Sequence, residues 1–182
     1  MEWIFFCSDD DLVNPGFLAD VDLSSKGPGF LYLTFTDIID EHGHFLRTSS
    51  NPEQNSLGQK QALDLFFQWK IHNHLSSFVL SRELFDLVGG FKDTGYPNGY
   101  FVDTVLHGHL ICNATEVKCE QEIVFSRRES PSQASANFYL GREVNRYIGK
   151  VARAFINEPC FNREVERRFG SEHDFFRWLL YK

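Results

Sequence analysis

The chain of 182 residues lacks the marks of several protein classes. Its clean apolar runs, such as residues 3–7, fall far short of the ~20 residues that a membrane-spanning helix needs. The first residues, Met-Glu-Trp, carry neither the basic nor the apolar region of a signal peptide. With 6 prolines and 13 glycines, the chain is not collagen-like or Pro/Gly-rich. We therefore expect one domain without a transmembrane segment, in the cytoplasm or peripheral at the inner membrane face.

The chain also has few positively charged residues: 18 Lys and Arg against 25 Asp and Glu, for a net charge of −7. An acidic domain is a poor match for a phosphate backbone, so we expect no nucleic-acid partner. The four cysteines are widely spaced and include no CxxC, which excludes zinc ribbons and thioredoxin-like motifs. Reduced cysteines in the cytoplasm are the simplest interpretation.

Aromatic residues, by contrast, are abundant, with 19 Phe, 6 Tyr and 3 Trp, which excludes a disordered chain. Strand-like and helix-like patterns alternate early and helices gather late, which indicates an α/β sheet with a helical C-terminal region. Strands are predicted at residues 3–8, 30–40, 71–80 and 116–125. Helices are predicted at residues 14–23, 59–70, 81–88 and 100–110 and after residue 137. Polar loops are predicted at residues 47–58 and 126–137.

The sharpest motif is the run Asp9-Asp10-Asp11, directly after the first apolar strand. Ligands of open α/β sheets bind beyond the carboxyl ends of strands. Adjacent carboxylates repel each other, and a divalent cation such as Mg²⁺ or Mn²⁺ that holds a diphosphate would offset the repulsion. The alternative is an acidic loop that starts the next helix.

Two further features allow a functional and an ordinary interpretation. In the segment SFVLSRELFDLVGGF, Gly89 and Gly90 would let the backbone approach a ligand closely, or they simply end a helix before an apolar anchor at Phe91. Asp103 could act as a general base or be a charge at a helix start. Taken alone, the ordinary interpretation is favoured for both.

Histidine occurs in three His-x-His pairs. In a strand, positions i and i+2 lie on the same face, so His72 and His74, in the strand predicted at 71–80, could share a ligand. In a helix, positions i and i+2 do not face the same way, which argues against His107 and His109. No third ligand is evident, so we expect no dedicated zinc site. The pairs are His42/His44, His72/His74 and His107/His109.

Taken together, residues 3–18, 78–91 and 100–110 resemble the C-terminal part of a family-2 glycosyltransferase with the GT-A fold. The resemblance covers roughly residues 1–157. It implies an α/β fold with a partial GT-A-type, Rossmann-like mixed sheet flanked by helices. It also implies a domain over residues 1–135, with a helical extension over residues 136–182 packed on it.

The resemblance also implies roles for individual residues. The acidic run would bind the metal and the diphosphate, and the glycine segment would lie near donor sugar and acceptor. Asp103 would be the general base, although Val102 stands where the family has Glu. Glu129 stands in the stretch where the family often has a metal-binding His, and could replace it. The implied residues are Asp9, Asp10, Asp11 and Glu129 for the metal, Arg82, Gly89, Gly90 and Phe91 for donor and acceptor, and Asp103 for catalysis.

The implied activity is metal-dependent transfer of a sugar, with inversion, from a nucleotide-sugar donor to a hydroxyl of a glycan or lipid-linked acceptor. The acidic run comes at residue 9, however, so the nucleoside-binding half that precedes it in the family is absent, as in a fragment or a truncated relative. This favours little UDP-sugar affinity and a homodimer that covers the exposed strand edge. The alternatives are a catalytically incomplete remnant that acts as a binding or interaction domain, and a metal-dependent phosphoesterase or nucleotidyltransferase.

Overall fold

A computed structural model of the chain describes residues 2–17, 22–49, 56–71, 74–96, 99–130 and 144–180. The strands are β1 Trp3–Phe5, β2 Leu12–Val13, β3 Phe30–Ile39, β4 Phe45–Ser49, β5 Ser56–Leu57, β6 Phe78–Ser81 and β7 Glu116–Arg128. The helices are α1 Gln59–Phe67, α2 Arg82–Leu87, α3 Val102–Asn113, α4 Val144–Ile156, α5 Pro159–Phe169 and α6 Glu172–Leu180, with a 3₁₀ turn at Leu75–Ser77. No helix in these ranges has the length and apolar character to cross a membrane.

The strands form one mixed sheet in the order β1-β6-β3-β7-β2, with β4 paired to β3 and β5 paired to β7. Strands β3 and β7 are parallel, and the other pairs are antiparallel. The ten residues of β3 are nearly all buried, as expected of a central strand. The predicted α/β class, with a mixed sheet, flanking helices and a helical C-terminal region, is confirmed.

The main core lies between the sheet and the helices, and aromatic rings dominate its helical side. Phe155 of α4 stacks on Phe161 of α5 with centroids 4.9 Å apart, and Phe161 contacts Phe67 of α1 at 5.2 Å. The C-terminal helices therefore share one core with the helices that precede them. The predicted domain boundary at residue 135 lies outside the described residues and stays a prediction.

Local capping signals were predicted well. The Ser81 hydroxyl accepts a hydrogen bond from the Leu84 N–H at 3.1 Å and begins α2, which ends before Gly89. Gly89 has a positive φ of 70°, a conformation that glycine adopts without strain. The Asp174 N–H donates to the Ser171 hydroxyl at 3.1 Å at the start of α6.

Several boundaries differ from the sequence prediction. The predicted loop 47–58 contains the end of β4 and all of β5, and β7 continues through Arg128 into the predicted loop 126–137. These polar segments become strands because neighbouring strands supply backbone partners, which a residue pattern does not reveal. The strand predicted at 71–80 begins only at Phe78. Of the predicted helix 14–23, residues 15 and 16 form a turn, residues 22 and 23 are not helical, and residues 18–21 lie outside the described residues.

The cysteines depart from the expected reduced state. Cys112, near the end of α3, forms a disulfide with Cys160 in α5, and their Cα atoms are 6.0 Å apart. Cys7 and Cys119 are free thiols, the first exposed and the second buried. The expectation of four reduced cysteines is therefore wrong for one pair, because the 48 residues that separate the partners gave no local signal.

Candidate functional site

Three chain segments meet beyond the carboxyl end of β1: the acidic run, the 3₁₀ turn and the end of β7. Directly after Asp11, β2 pairs with β7, so that Leu12 lies opposite Ser126. The Arg128 Nε donates to the backbone carbonyl of Asp10 at 3.3 Å. The acidic run is thereby held at the sheet edge where ligands of open α/β sheets bind.

Asp11 is the buried member of the acidic run, with a side chain only 1% exposed. Its Oδ2 accepts a hydrogen bond from the Ser76 hydroxyl at 2.8 Å and lies 3.7 Å from His74 Nδ1. Its Oδ1 accepts from the Arg128 N–H at 3.4 Å. Burial raises the pKa of Asp11, against the lowering effect of the two hydrogen bonds.

Asp9 and Asp10, in contrast, are exposed. Mg²⁺ is commonly bound through one or two carboxylates together with substrate phosphates, and two exposed carboxylates fit that donor set. Within the described residues, the three-ligand set whose atoms lie within 4.8 Å of one another is Cys112, Glu158 and Cys160. Because the two sulfurs form a disulfide, they are not thiolate ligands.

Glu129 lies between two arginines. Its Oε1 accepts from Arg47 Nη2 at 2.8 Å and lies 3.8 Å from Arg127 Nη2. The positive charge of Arg127 also acts to lower the pKa of both Asp11 and Asp103. Arg127 is thus the cation that the two carboxylates share, and its role was missed because the sequence placed it only in a polar loop.

Asp103 is half-buried in the first turn of α3. Its Oδ1 accepts from the Thr104 N–H at 2.7 Å and from the Thr104 hydroxyl at 3.3 Å. Burial raises the pKa of Asp103 in spite of these bonds and of Arg127. The residue before α3, Phe101, has a φ of 66°, an unusual conformation for a bulky side chain. Such backbone strain is found most often at functional sites.

The predicted glycine segment returns towards the acidic run. Gly89 and Gly90 have φ values of 70° and 63°, and they turn the chain so that Phe91 packs against Phe6. Phe6 precedes Asp9 by three residues. The ring of Phe91 remains 43% exposed and is therefore accessible to a ligand.

Arg82 lies elsewhere. Its N–H donates to the Glu2 carbonyl at 2.9 Å, and its Nε donates to the Asp86 carboxylate at 3.0 Å. Because β1 and β6 are antiparallel, with Trp3 opposite Ser81, this is the end of β1 away from the acidic run. The structure therefore does not bring Arg82 together with the other predicted residues.

The histidine pairs have different surroundings. His42 and His44 are exposed in the β3–β4 turn, and His107 and His109 are buried in α3. Burial lowers the pKa of His109. His72 lies outside the described residues, whereas His74 faces Asp11. Sequence reasoning considered His74 only as half of a His-x-His pair and did not identify Ser76, since only the folded turn brings these residues to the acidic run.

Comparison with known proteins places the fold. No family model and no curated protein matches the sequence. A solved structure that does match is the crystal structure of S. aureus TarS 1–349 in complex with UDP-GlcNAc, with a TM-score of 0.58 and 11% sequence identity. The match covers 93% of this chain and 49% of that chain, so this chain spans about half of its length. The likeness shows a glycosyltransferase fold.

Proposed function

We propose that this chain is a glycosyltransferase domain that transfers a sugar from a nucleotide-sugar donor to a hydroxyl acceptor. The observation that carries the proposal is that Arg127 acts electrostatically on both Asp11, the last residue of the acidic run, and Asp103, within a glycosyltransferase fold. The structural neighbour TarS was crystallised with UDP-GlcNAc. A glycan or a lipid-linked sugar is the acceptor class that we propose.

The donor diphosphate would lie beside the acidic run. Asp9 and Asp10 would hold Mn²⁺ or Mg²⁺, which would neutralise the charge that develops on the leaving diphosphate. Glu129 remains a proposed additional oxygen ligand, although its carboxylate is already engaged by Arg47. Gly89, Gly90 and Phe91 would contact the donor sugar or the acceptor.

Asp103 would be the general base. As the acceptor oxygen attacks the anomeric carbon, its proton would pass to the Asp103 carboxylate, and the bond to the diphosphate would break. A single displacement of this kind inverts the configuration at the anomeric carbon. The hydrogen bond from the Thr104 N–H fixes the carboxylate, and Arg127 favours its ionised form.

The test is metal-dependent binding of UDP by the purified chain. Mn²⁺ binding is measured by electron paramagnetic resonance with and without UDP, on the wild type and on Asp9→Asn, Asp10→Asn and the control Glu83→Gln. Glu83 is an exposed carboxylate in the first turn of α2. Even where UDP binds weakly, as the sequence favours, its diphosphate supplies oxygen ligands, so we expect UDP at high concentration to strengthen Mn²⁺ binding in the wild type and in the control. Loss of one donor carboxylate should abolish the effect, and unchanged Mn²⁺ binding in both Asn variants would contradict the metal assignment.

Product analysis separates the alternatives. Incubation with nucleotide sugars and a glycan acceptor should give glycosylated product and free nucleoside diphosphate. Release of inorganic phosphate alone would indicate a phosphoesterase. A folded chain that binds neither Mn²⁺ nor UDP, yet retains a glycan or protein ligand, would favour the catalytically incomplete remnant.

A further inference from the structure

The three adjacent aspartates do not have equivalent surroundings. Asp9 and Asp10 are exposed, whereas the Asp11 side chain is 1% exposed. Each Asp11 oxygen already accepts a hydrogen bond, one from the Ser76 hydroxyl and the other from the Arg128 N–H. Because both oxygens of this buried carboxylate already accept hydrogen bonds, it is less accessible to a metal than the exposed carboxylates of Asp9 and Asp10.

Ser76 contacts both the residue before the acidic run, Ser8, and the last residue of the run, Asp11. Its hydroxyl oxygen accepts from the Ser8 N–H at 3.4 Å and donates to Asp11 at 2.8 Å. The Asp11 N–H in turn donates to the Ser8 carbonyl at 3.2 Å, which closes a turn around Asp9 and Asp10. One buried hydroxyl therefore fixes the turn from which the two exposed carboxylates project.

We propose that Asp11 is a positioning residue, which with Ser76 fixes the turn that presents Asp9 and Asp10 to the metal and the donor diphosphate. Asp11 joins three segments that are distant in sequence: the turn itself, the 3₁₀ turn and the end of β7. This inference rests on the proposed function for what the turn presents, but the coupling of Asp11 to Ser76 is independent of that function.

The experiment compares two equally conservative substitutions. Asn retains an oxygen that can accept from the Arg128 N–H, but it replaces a carboxylate with a neutral carbonyl, which is a weaker ligand for Mn²⁺. We therefore expect Asp11→Asn to keep Mn²⁺ affinity within a few fold of the wild type, measured by electron paramagnetic resonance with UDP present. Asp10→Asn should lose it. Equal loss in the two variants would overturn the positioning role.

The role of Ser76, the hydrogen-bond partner of Asp11, is tested by removing its hydroxyl group. Ser76→Ala should weaken Mn²⁺ binding about tenfold, as loss of groups that orient metal ligands does. The matched control is Ser77→Ala, because Ser77 is also buried in the 3₁₀ turn but its hydroxyl donates to the His74 carbonyl. Ser77→Ala should leave Mn²⁺ affinity unchanged even where it lowers the melting temperature. An equal loss of affinity in both variants would contradict the specific role of Ser76.

A thermal double-mutant cycle separates failure of this inference from failure of the proposed function. The melting temperatures of Asp11→Ala, Ser76→Ala and the double variant are compared, with no metal present. Coupled residues give non-additive shifts, so the double variant should melt close to Asp11→Ala alone. Additive shifts would overturn the inference. Non-additive shifts in a chain that binds neither Mn²⁺ nor UDP would support the pairing while refuting the proposed function.

Discussion

The ring of Phe91 lies edge-on against the ring of Phe6, with centroids 5.3 Å apart and planes at 61°. Phe85 completes the cluster, at 5.9 Å from Phe6 and 5.8 Å from Phe91. Because Phe6 lies just before the acidic run, this contact holds the turn at Gly89 and Gly90 close to that run. It explains how a segment far along the chain reaches the proposed donor site.

The first prediction concerns this aromatic pair. In a double-mutant cycle of Phe6→Leu and Phe91→Leu, measured by urea denaturation, we expect a coupling of about 0.5–1.5 kcal/mol, as is usual for aromatic pairs. Leu87→Ala, at a side chain 68% exposed, is the control and should leave stability nearly unchanged. Strictly additive effects of the two Leu substitutions would mean that the rings do not interact.

The second prediction concerns the proposed base. Asp103→Asn should lower turnover by about 10²–10⁴, the usual contribution of a general base, while Mn²⁺ and UDP binding stay unchanged. Since the base must be ionised, wild-type turnover should fall as the pH falls through its raised pKa. Near-normal turnover of Asp103→Asn would reduce Asp103 to a charge at a helix start.

The same substitution has an opposite effect on stability. Burial raises the pKa of Asp103, so the folded state binds its proton more tightly than the unfolded state does. Its contribution to stability is therefore complete below the ordinary aspartate pKa of about 3.9 and is lost as the pH rises through the higher folded-state pKa. Asp103→Asn should melt above the wild type at neutral pH, and the difference should shrink towards acidic pH. Glu83→Gln is the control and should give no such pH-dependent difference in melting temperature.

The third prediction is a thiol count. Alkylation without reductant should modify Cys7 alone in the folded protein, because Cys119 is buried and its pKa is raised to about 11. Under denaturing conditions Cys119 should react as well, and the Cys112–Cys160 pair should react only after reduction. Reduction should cost about 4 kcal/mol of stability for a separation of 48 residues. Four reactive thiols in the denatured, unreduced protein would contradict the disulfide.

The fourth prediction concerns association. Strand β1 ends the strand order, and within the described residues only β6 pairs with it. A strand edge with half-buried apolar side chains is a template for pairing with a second copy. We expect a homodimer with twice the 21.1 kDa mass of the chain, joined across a two-fold axis, by light scattering over a dilution series. A monomer at every concentration would contradict it.

Features that depend on a few neighbouring residues could be predicted from the sequence, whereas features that depend on tertiary contacts could not. The Ser81 cap and the place of Asp9–Asp11 after an apolar strand were both readable, because cap and strand patterns span only a few residues. The bond between Ser76 and Asp11 was not, since the chain must fold before these residues meet. The strand character of Arg128 was hidden for the same reason, because its partner strand β3 supplies the pairing.

Gly108, in the middle of α3, is a case in which local reasoning and packing disagree. A glycine weakens a helix by up to about 1 kcal/mol relative to alanine, so helix propensity alone predicts that Gly108→Ala stabilises the protein. A methyl group at this position would lie 2.8 Å from Phe161 Cε2, 3.0 Å from Phe155 Cε1 and 3.1 Å from Phe66 Cζ. The absent side chain thus makes room for three core rings.

The fifth prediction follows from that comparison. The rings around Gly108 are buried and pack against one another, so a methyl group must displace them. Overpacking of a dense core costs about 1–3 kcal/mol, which exceeds the gain in helix propensity. Gly108→Ala should therefore unfold at lower urea concentration than the wild type. Gly27→Ala is the control, because a methyl group there meets none of the described atoms within 4 Å. A more stable Gly108→Ala protein would mean that α4 and α5 can move away from α3 at little cost.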